Sequence, residues 1–296
     1  MRYRIRHRTQ YTYEAHASVS KNVLYLQPRE TQNQKITQFQ TTIHPAPNFR
    51  VTRKDAFGNL FEVITVESPH TQLDITTEST VKVTSPPALK PALTPSLEKM
   101  CEAVRRPLND EALSAAEFTF ASPMVPILES VHEWAAPSFP PNTPVLVGAI
   151  DLMHRLFETF TYDSNATTVT TPVIDVFRTR RGVCQDFAHI MLSALRSCGL
   201  SARYVSGYLE TIPPPGKPRL IGVDASHAWV SVFVGPHGWV DLDPTNNLIP
   251  EERHVTLAYG RDYQDVTPVR GVILGGGAHH LSVSVDMAPL AVESSL

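Results

Sequence analysis

Over residues 1–86 apolar positions recur every second residue. Tyr3, Ile5, His7, Tyr11 and Tyr13 share one parity, and Arg2, Arg4, Arg6 and Arg8 the other. This is the pattern of a half-buried strand with a basic, solvated outer face. Similar runs at 22–27, 36–43, 49–54, 60–67 and 72–83 predict further strands, with Phe57-Gly58-Asn59-Leu60 as a turn between two of them. Short strands joined by turns predict an antiparallel, all-β, sandwich-like unit. A proline-rich stretch at 84–91 reads as a linker, and beyond it the period becomes helical. Helices are expected from Thr94-Pro95-Ser96 through 103 and over 124–134. A clearer one starts at Asn142-Thr143-Pro144, with Thr143 as N-cap, Pro144 in the first turn and Leu146, Ile150, Met153 and Phe157 as its buried stripe. Phe160-Thr161-Tyr162-Asp163 ends that helix and opens a threonine-rich loop to Thr171-Pro172. From Phe187 the apolar residues Ile190, Met191, Ala194, Leu195 and Cys198 mark one face of a helix over 184–198, closed by Gly199. The chain then returns to strand at 202–210. Pro213-Pro214-Pro215-Gly216 predicts an exposed loop, and the runs 226–234 and 239–245 flank a hairpin signal at Gly235-Pro236-His237-Gly238. A last strand is expected over 281–286, as part of the core sheet.

Length and charge narrow this picture. The chain has 296 residues, enough for two domains. It carries 26 Lys+Arg against 29 Asp+Glu, a net charge of -3, which does not suggest a nucleic-acid binder. Three cysteines, an odd number in a long chain, argue against a disulfide framework and for a reducing compartment. The N-terminus alternates charged and apolar residues and carries no apolar run of the signal-peptide kind. No stretch reaches the roughly 18 consecutive apolar residues of a membrane span. A cytoplasmic location without membrane association is therefore expected. Oligomeric state is not encoded in any pattern found. His279-His280 lacks a second ligand cluster at metal-like spacing, and no calcium loop is present, so no metal or other cofactor is expected.

The chemistry concentrates in three segments. Cys184 stands in the first turn of its helix, where unpaired N–H groups and the positive end of the dipole favour a thiolate. His227 lies on the first strand of the hairpin, and Asp241 and Asp243 lie on the second. If the loop spans the three residues Gly235 to His237, Val234 pairs with Gly238 and Asp243 falls opposite Trp229, on the face of His227 and diagonal to it. A two-residue loop would put Asp243 on the other face. A cysteine at a helix start, a histidine on a strand and a carboxylate on the neighbouring strand supply a thiol nucleophile, a general base and an orienting group. Cys198, at the far end of the helix, reads as structural.

Gly182-Val183-Cys184-Gln185-Asp186-Phe187, the run from Gly199 to Tyr208, Ser226-His227-Ala228-Trp229 and the run from Trp239 to Asn246 resemble the transglutaminase-like superfamily, more closely its bacterial members with a β-rich N-terminal region. The resemblance implies an α+β, papain-like core at about 143–250, inside a catalytic domain 87–296 with C-terminal strands at 254–290, preceded by the β-rich domain 1–86. It implies a triad of Cys184 as nucleophile, His227 as base and Asp243, from the Asp-Pro-Thr segment, as orienter; Asp241 shares the face but not the motif position. Cys184 N–H is the expected oxyanion donor. Animal transglutaminases add a tryptophan donor upstream of the cysteine, but no tryptophan lies between Trp134 and Cys184 here; Tyr162 or a loop backbone group is the substitute. Asp186 and Trp229 are supporting residues, one bonding loop backbone and the other walling the thiolate. The expected activity is a cysteine peptidase or amidase acting on a peptide or protein at an amide or isopeptide bond. The alternatives are a protein-glutamine transglutaminase and a non-catalytic binding module that kept the fold.

Overall fold

The computed structural model describes residues 1–211 and 225–290; the loop expected at Pro213-Pro214-Pro215-Gly216 lies outside them. The N-terminal strands are β1 (Arg2–Leu24), β2 (Gln34–His44), β3 (Phe49–Lys54), β4 (Leu60–Val66) and β5 (His70–Val83). The two strands expected at the start of the chain are one continuous strand, β1. Its first half pairs antiparallel with β5 and its second half with β4, with a register break between Thr12 and Ala17. β2 extends the sheet beyond β5 and β3 beyond β4. The alternation in β1 is realised: Tyr3 and Ile5 are buried, and Arg2, Arg4, Arg6 and Arg8 are exposed. Tyr13, Ala17, Leu24, Ile43, Ile64, Val66, Leu73 and Ile75 from both halves share one buried cluster, which gives the region its sandwich-like core.

The helical segment contains α1 (Leu97–Arg105), α2 (Asp110–Ala116), α3 (Glu129–Ala135) and α4 (Val145–Thr159). α2 was not expected; Asn109 caps it by accepting from Ala112 N–H. α3 begins later than residue 124, because the chain before it makes a bridge between Ser122 and Val125. α4 begins one residue later than expected, with Pro144 at the N-cap. Thr143 and Pro144 are held extended instead, by Leu97 N–H donating to Thr143 O and a bridge between Ser96 and Pro144.

β6 (Thr161–Tyr162), α5 (Val173–Thr179) and β7 (Arg181–Gly182) lead into α6 (Cys184–Ser197). α6 is the centre of the core. Phe187, Ala188, Ile190, Met191, Leu192, Ala194 and Leu195 are each at most 1% exposed, so the helix is buried all round rather than along a stripe. Each such large side chain contributes roughly 1.5–3 kcal/mol of burial. Arg196 near its end is also buried. It donates to Ala202 O and Arg261 O, so the helix end is anchored to backbone carbonyls.

The core sheet has the order β10 (Trp239–Leu242), β9 (Ala225–Phe233), β8 (Ala202–Leu209), β11 (His254–Gly260), all antiparallel. β11 is the edge strand, yet all its residues are buried. Two amide side chains of the N-terminal region cover it. Gln34 Nε2 donates to Thr256 O and Gln34 Oε1 accepts from Thr256 N–H, each at 2.8 Å. Asn59 does the same with Tyr259, at 2.7 and 2.8 Å. The exposed edge is thereby capped without an added strand.

β12 (Val269–Gly275) and β13 (His279–Pro289) correct the expectation that the C-terminal strands extend the core sheet. Both pair with β1, β12 along Ala17–Leu24 and β13 along Tyr3–Tyr13. At 23 residues β1 is long enough to take two partners in succession on one edge, and strand alternation does not encode which edge a strand will join. Among the described residues no helix is long and apolar enough to cross a membrane.

Candidate active site

The entry to α6 is set by three local features. Arg180 adopts a left-handed conformation, φ 57°, with its guanidinium over the Phe177 ring at 4.0 Å. That turn sends Arg181 and Gly182 into a parallel pair with Thr161 and Tyr162. Asp186 then closes the helix start: its Oδ2 accepts from Val183 N–H at 2.8 Å and from Thr167 Oγ1–H at 2.6 Å. Burial raises the Asp186 carboxyl, and these two bonds oppose the rise. Gly182 is required by this packing, because a Cβ there would lie 2.6 Å from Asp186 Oδ2. Cys184 follows as the first helical residue, half-buried and free. As such its N–H has no acceptor within the helix. Gln185 Nε2–H reaches across to Val169 O at 2.9 Å, so Asp186 and Gln185 both hold the threonine-rich loop beside the thiol.

The hairpin has the three-residue connection that the sequence required. Gly235–His237 forms a short 3-10 turn, Val234 N–H donates to Gly238 O at 2.8 Å, and Trp239, Val240, Asp241 and Leu242 pair with Phe233, Val232, Ser231 and Val230. Asp243 therefore falls on the face of His227. Its Oδ2 lies 2.8 Å from His227 Nε2, so Nδ1 is the ring nitrogen not engaged by Asp243, and Cys184 is close enough for its charge to favour the imidazolium. Asp241 is on the same face but is occupied otherwise, accepting from Trp229 Nε1–H at 2.9 Å. Trp229 is fully buried, with its ring 6.0 Å from that of His227. Tyr162 is exposed on β6, its hydroxyl raised by burial and by the charge of Cys184. Two further tyrosines, Tyr204 and Tyr263, respond to the same charge after burial, and the rings of these two meet edge to face at 6.3 Å.

Asp243 is 0% exposed and would be costly to bury alone. It accepts five hydrogen bonds. Oδ1 takes Thr245 N–H and Asn246 N–H; Oδ2 takes His227, His254 Nε2 at 3.0 Å and Asn246 Nδ2 at 2.8 Å. Burial pulls the Asp243 carboxyl upward, but the bonds from His227, His254 and Asn246 hold it well below the usual carboxylate range. Burial likewise pulls the His227 imidazole down. The hydrogen bond to Asp243, with the negative charges of Asp243 and Cys184, overrides burial and holds it well above its ordinary value. The site thus favours a protonated His227 beside the Asp243 carboxylate. His227, Asp243 and His254 also bring three ligating atoms within 4.8 Å of one another. The Asn246 amide donates to the same carboxylate oxygen, so a cation there would have to displace a donor.

Sequence reasoning did not single out His254 or give Asn246 a role. Asn246 lies within the Asp-Pro-Thr-Asn run, and its nearness to Asp243 was a usable signal. His254 is 11 residues beyond Asp243 on another strand, and nothing local marks it.

Comparison with known proteins identifies the family and the fold. Residues 3–82 match the bacterial transglutaminase-like N-terminal region and residues 136–244 the transglutaminase-like superfamily. An uncharacterized protein of Mycobacterium tuberculosis is 42% identical over 293 residues, 97% of this chain and 93% of that protein. A protein-glutamine gamma-glutamyltransferase of Pseudomonas aeruginosa is 33% identical over 108 residues, 34% of this chain and 16% of that protein. A candidate cysteine protease from Cytophaga hutchinsonii shares the fold, with a TM-score of 0.76 at 20% identity, over 100% of this chain and 92% of its own. With both regions matched in order and a relative similar over nearly its whole length, the chain belongs to the bacterial transglutaminase-like family.

Proposed function

We propose that the protein is a cysteine hydrolase that cleaves an amide or isopeptide bond of a peptide or protein through an acyl-thioester on Cys184. The observation that carries this reading is the hydrogen bond from His227 Nε2 to the buried Asp243 carboxylate, with Cys184 at the start of α6 near enough to act on the same imidazole. In this reading His227 takes the Cys184 proton and the thiolate attacks the carbonyl carbon. The developing oxyanion is met by Cys184 N–H. His227 then returns the proton to the leaving amine as the tetrahedral intermediate collapses to the thioester. Water, deprotonated by His227, attacks the thioester and releases the acid and the thiol. Asp243 holds the imidazole in one orientation throughout and balances its charge. The three free cysteines fit a reducing compartment such as the cytoplasm, in which the thiol stays available.

The similarity to the Pseudomonas aeruginosa protein-glutamine gamma-glutamyltransferase favours a second reading, in which a lysine or other amine, instead of water, resolves the thioester. Both readings predict that iodoacetamide modifies Cys184 ahead of Cys101 and Cys198, and that Cys184→Ala abolishes turnover. A glutamine donor offered with a labelled amine separates them. Release of free acid in excess of amine incorporation is expected, and the reverse overturns hydrolysis. A third reading, a binding module, requires that Cys184→Ala leave every cellular phenotype intact.

A further inference from the structure

His254 takes no part in the scheme above. It opens β11, paired with Leu209 of β8, and is 6% exposed. Its Nε2 and that of His227 meet the same oxygen, Asp243 Oδ2, at 3.0 and 2.8 Å. A carboxylate oxygen only accepts, so each ring must carry a proton on Nε2. His254 Nδ1 is buried with no hydrogen-bond partner among the described residues. An apolar ring would avoid that cost, so the feature that distinguishes histidine here is the donor on its other side. The ring also has a second boundary. It stands in the wall of a cavity of about 760 Å³ between the N-terminal sheet and the core, whose lining includes Arg29, Gln34, Trp239 and Asp241. Asp243 itself is 0% exposed and is not part of that lining. Trp229 packs edge-on against His254 at 5.2 Å.

We propose that His254 is a positioning residue with two duties: its Nε2–H shares the Asp243 carboxylate with His227, and its ring seals the triad from the interdomain cavity. The inference rests on the reading of Cys184, His227 and Asp243 as the reacting centre. Removing the donor while keeping the seal leaves more of the carboxylate's charge to His227, so the imidazolium persists to higher pH. Opening the seal admits water to the carboxylate and weakens its hold on His227, the opposite effect. Asp243 and His227 are the titratable groups that face the ring; Asp241 is engaged by Trp229.

The test is the pH dependence of iodoacetamide modification at Cys184 in the full-length chain, followed by peptide mapping, on wild type and three variants. His254→Phe keeps the seal and loses the donor. Its alkaline limb, where the imidazolium loses its proton, is expected to move up by about one pH unit, the value of a hydrogen bond to a charged group. His254→Gln restores a donor near the position of Nε2 and returns the limb to wild type. His254→Ala opens the seal and moves the limb below that of His254→Phe. Thermal melting of each variant separates these shifts from loss of fold, and His254→Gln against His254→Ala carries the test if His254→Phe does not fold. A limb that is present in wild type and unmoved across the folded variants overturns this inference alone. A wild-type profile without an imidazole limb overturns the reading on which it rests, and this inference with it.

Discussion

At the scale of single residues, Asp243 has the most at stake. Its carboxylate holds two imidazoles, so Asp243→Ala leaves His227 and His254 without their common acceptor. Turnover is expected to fall by about 10³-fold or more, as for loss of the orienting carboxylate of other triads. Mass spectrometry should still find Cys184 as a modifiable thiol. His227 gives a prediction for stability. Its folded-state value is raised by Asp243 and Cys184 over the opposing effect of burial, so its stabilising contribution is full below the unfolded value of about 6.5 and is lost as pH rises through the higher folded value. In urea unfolding, the margin of wild type over His227→Gln is expected to shrink steadily from pH 6.5 into the alkaline range. A margin that grows with pH would contradict the assigned direction.

At the scale of elements, the edge of β11 shows how side chains replace a missing strand. Asn59→Ala removes both the donor to Tyr259 O and the acceptor of Tyr259 N–H. Two buried backbone groups are then unpaired, at roughly 1–3 kcal/mol each. A loss of this order is expected in chemical denaturation, while a surface substitution such as Lys99→Ala should change little. This contact had no signature in the sequence, where Asn59 read only as part of a turn. The hairpin that carries His227 and Asp243 was legible to a greater depth. Its loop composition admitted a three-residue connection, and once that is granted, the period of two fixes which aspartates share the face of His227. The start of α6 was legible as well, because Gly182 before it and the 3.6-residue apolar period after it bracket Cys184. The start of α4 was displaced by one residue because Thr143 and Pro144 bond to a distant segment, which no local cap rule can anticipate.

At the scale of the whole molecule, two buried histidines set the acid stability, and one of them lies where the two regions pack. His7 of β1 is buried with Nδ1 2.9 Å from the Tyr208 hydroxyl of β8, and burial lowers it to about 4. His189 of α6 accepts from Tyr263 N–H at 3.2 Å and is lowered, also chiefly by burial, to about 4. Both take up a proton on unfolding at any pH between their folded values and about 6.5, so stability falls as pH drops through that window. The expected slope is about 1.4 kcal/mol per pH unit for each histidine. His7→Gln should remove one proton's worth of that slope in urea titrations at pH 4.5 to 6.5. An unchanged slope would mean that the junction between the sheets is not the acid-sensitive contact.

The sequence by itself determined what depends on near neighbours: the alternating β1, the buried α6 with a cysteine in its first turn, and the hairpin register that puts Asp243 on the face of His227. Each follows from a period or a turn spanning a few residues. Tertiary structure alone decided which edge β12 and β13 would join, how β11 would be covered, and that His254 would meet the same carboxylate oxygen as His227. Those outcomes depend on unpaired backbone groups and buried charge finding partners far along the chain, and such partners are chosen by packing in three dimensions.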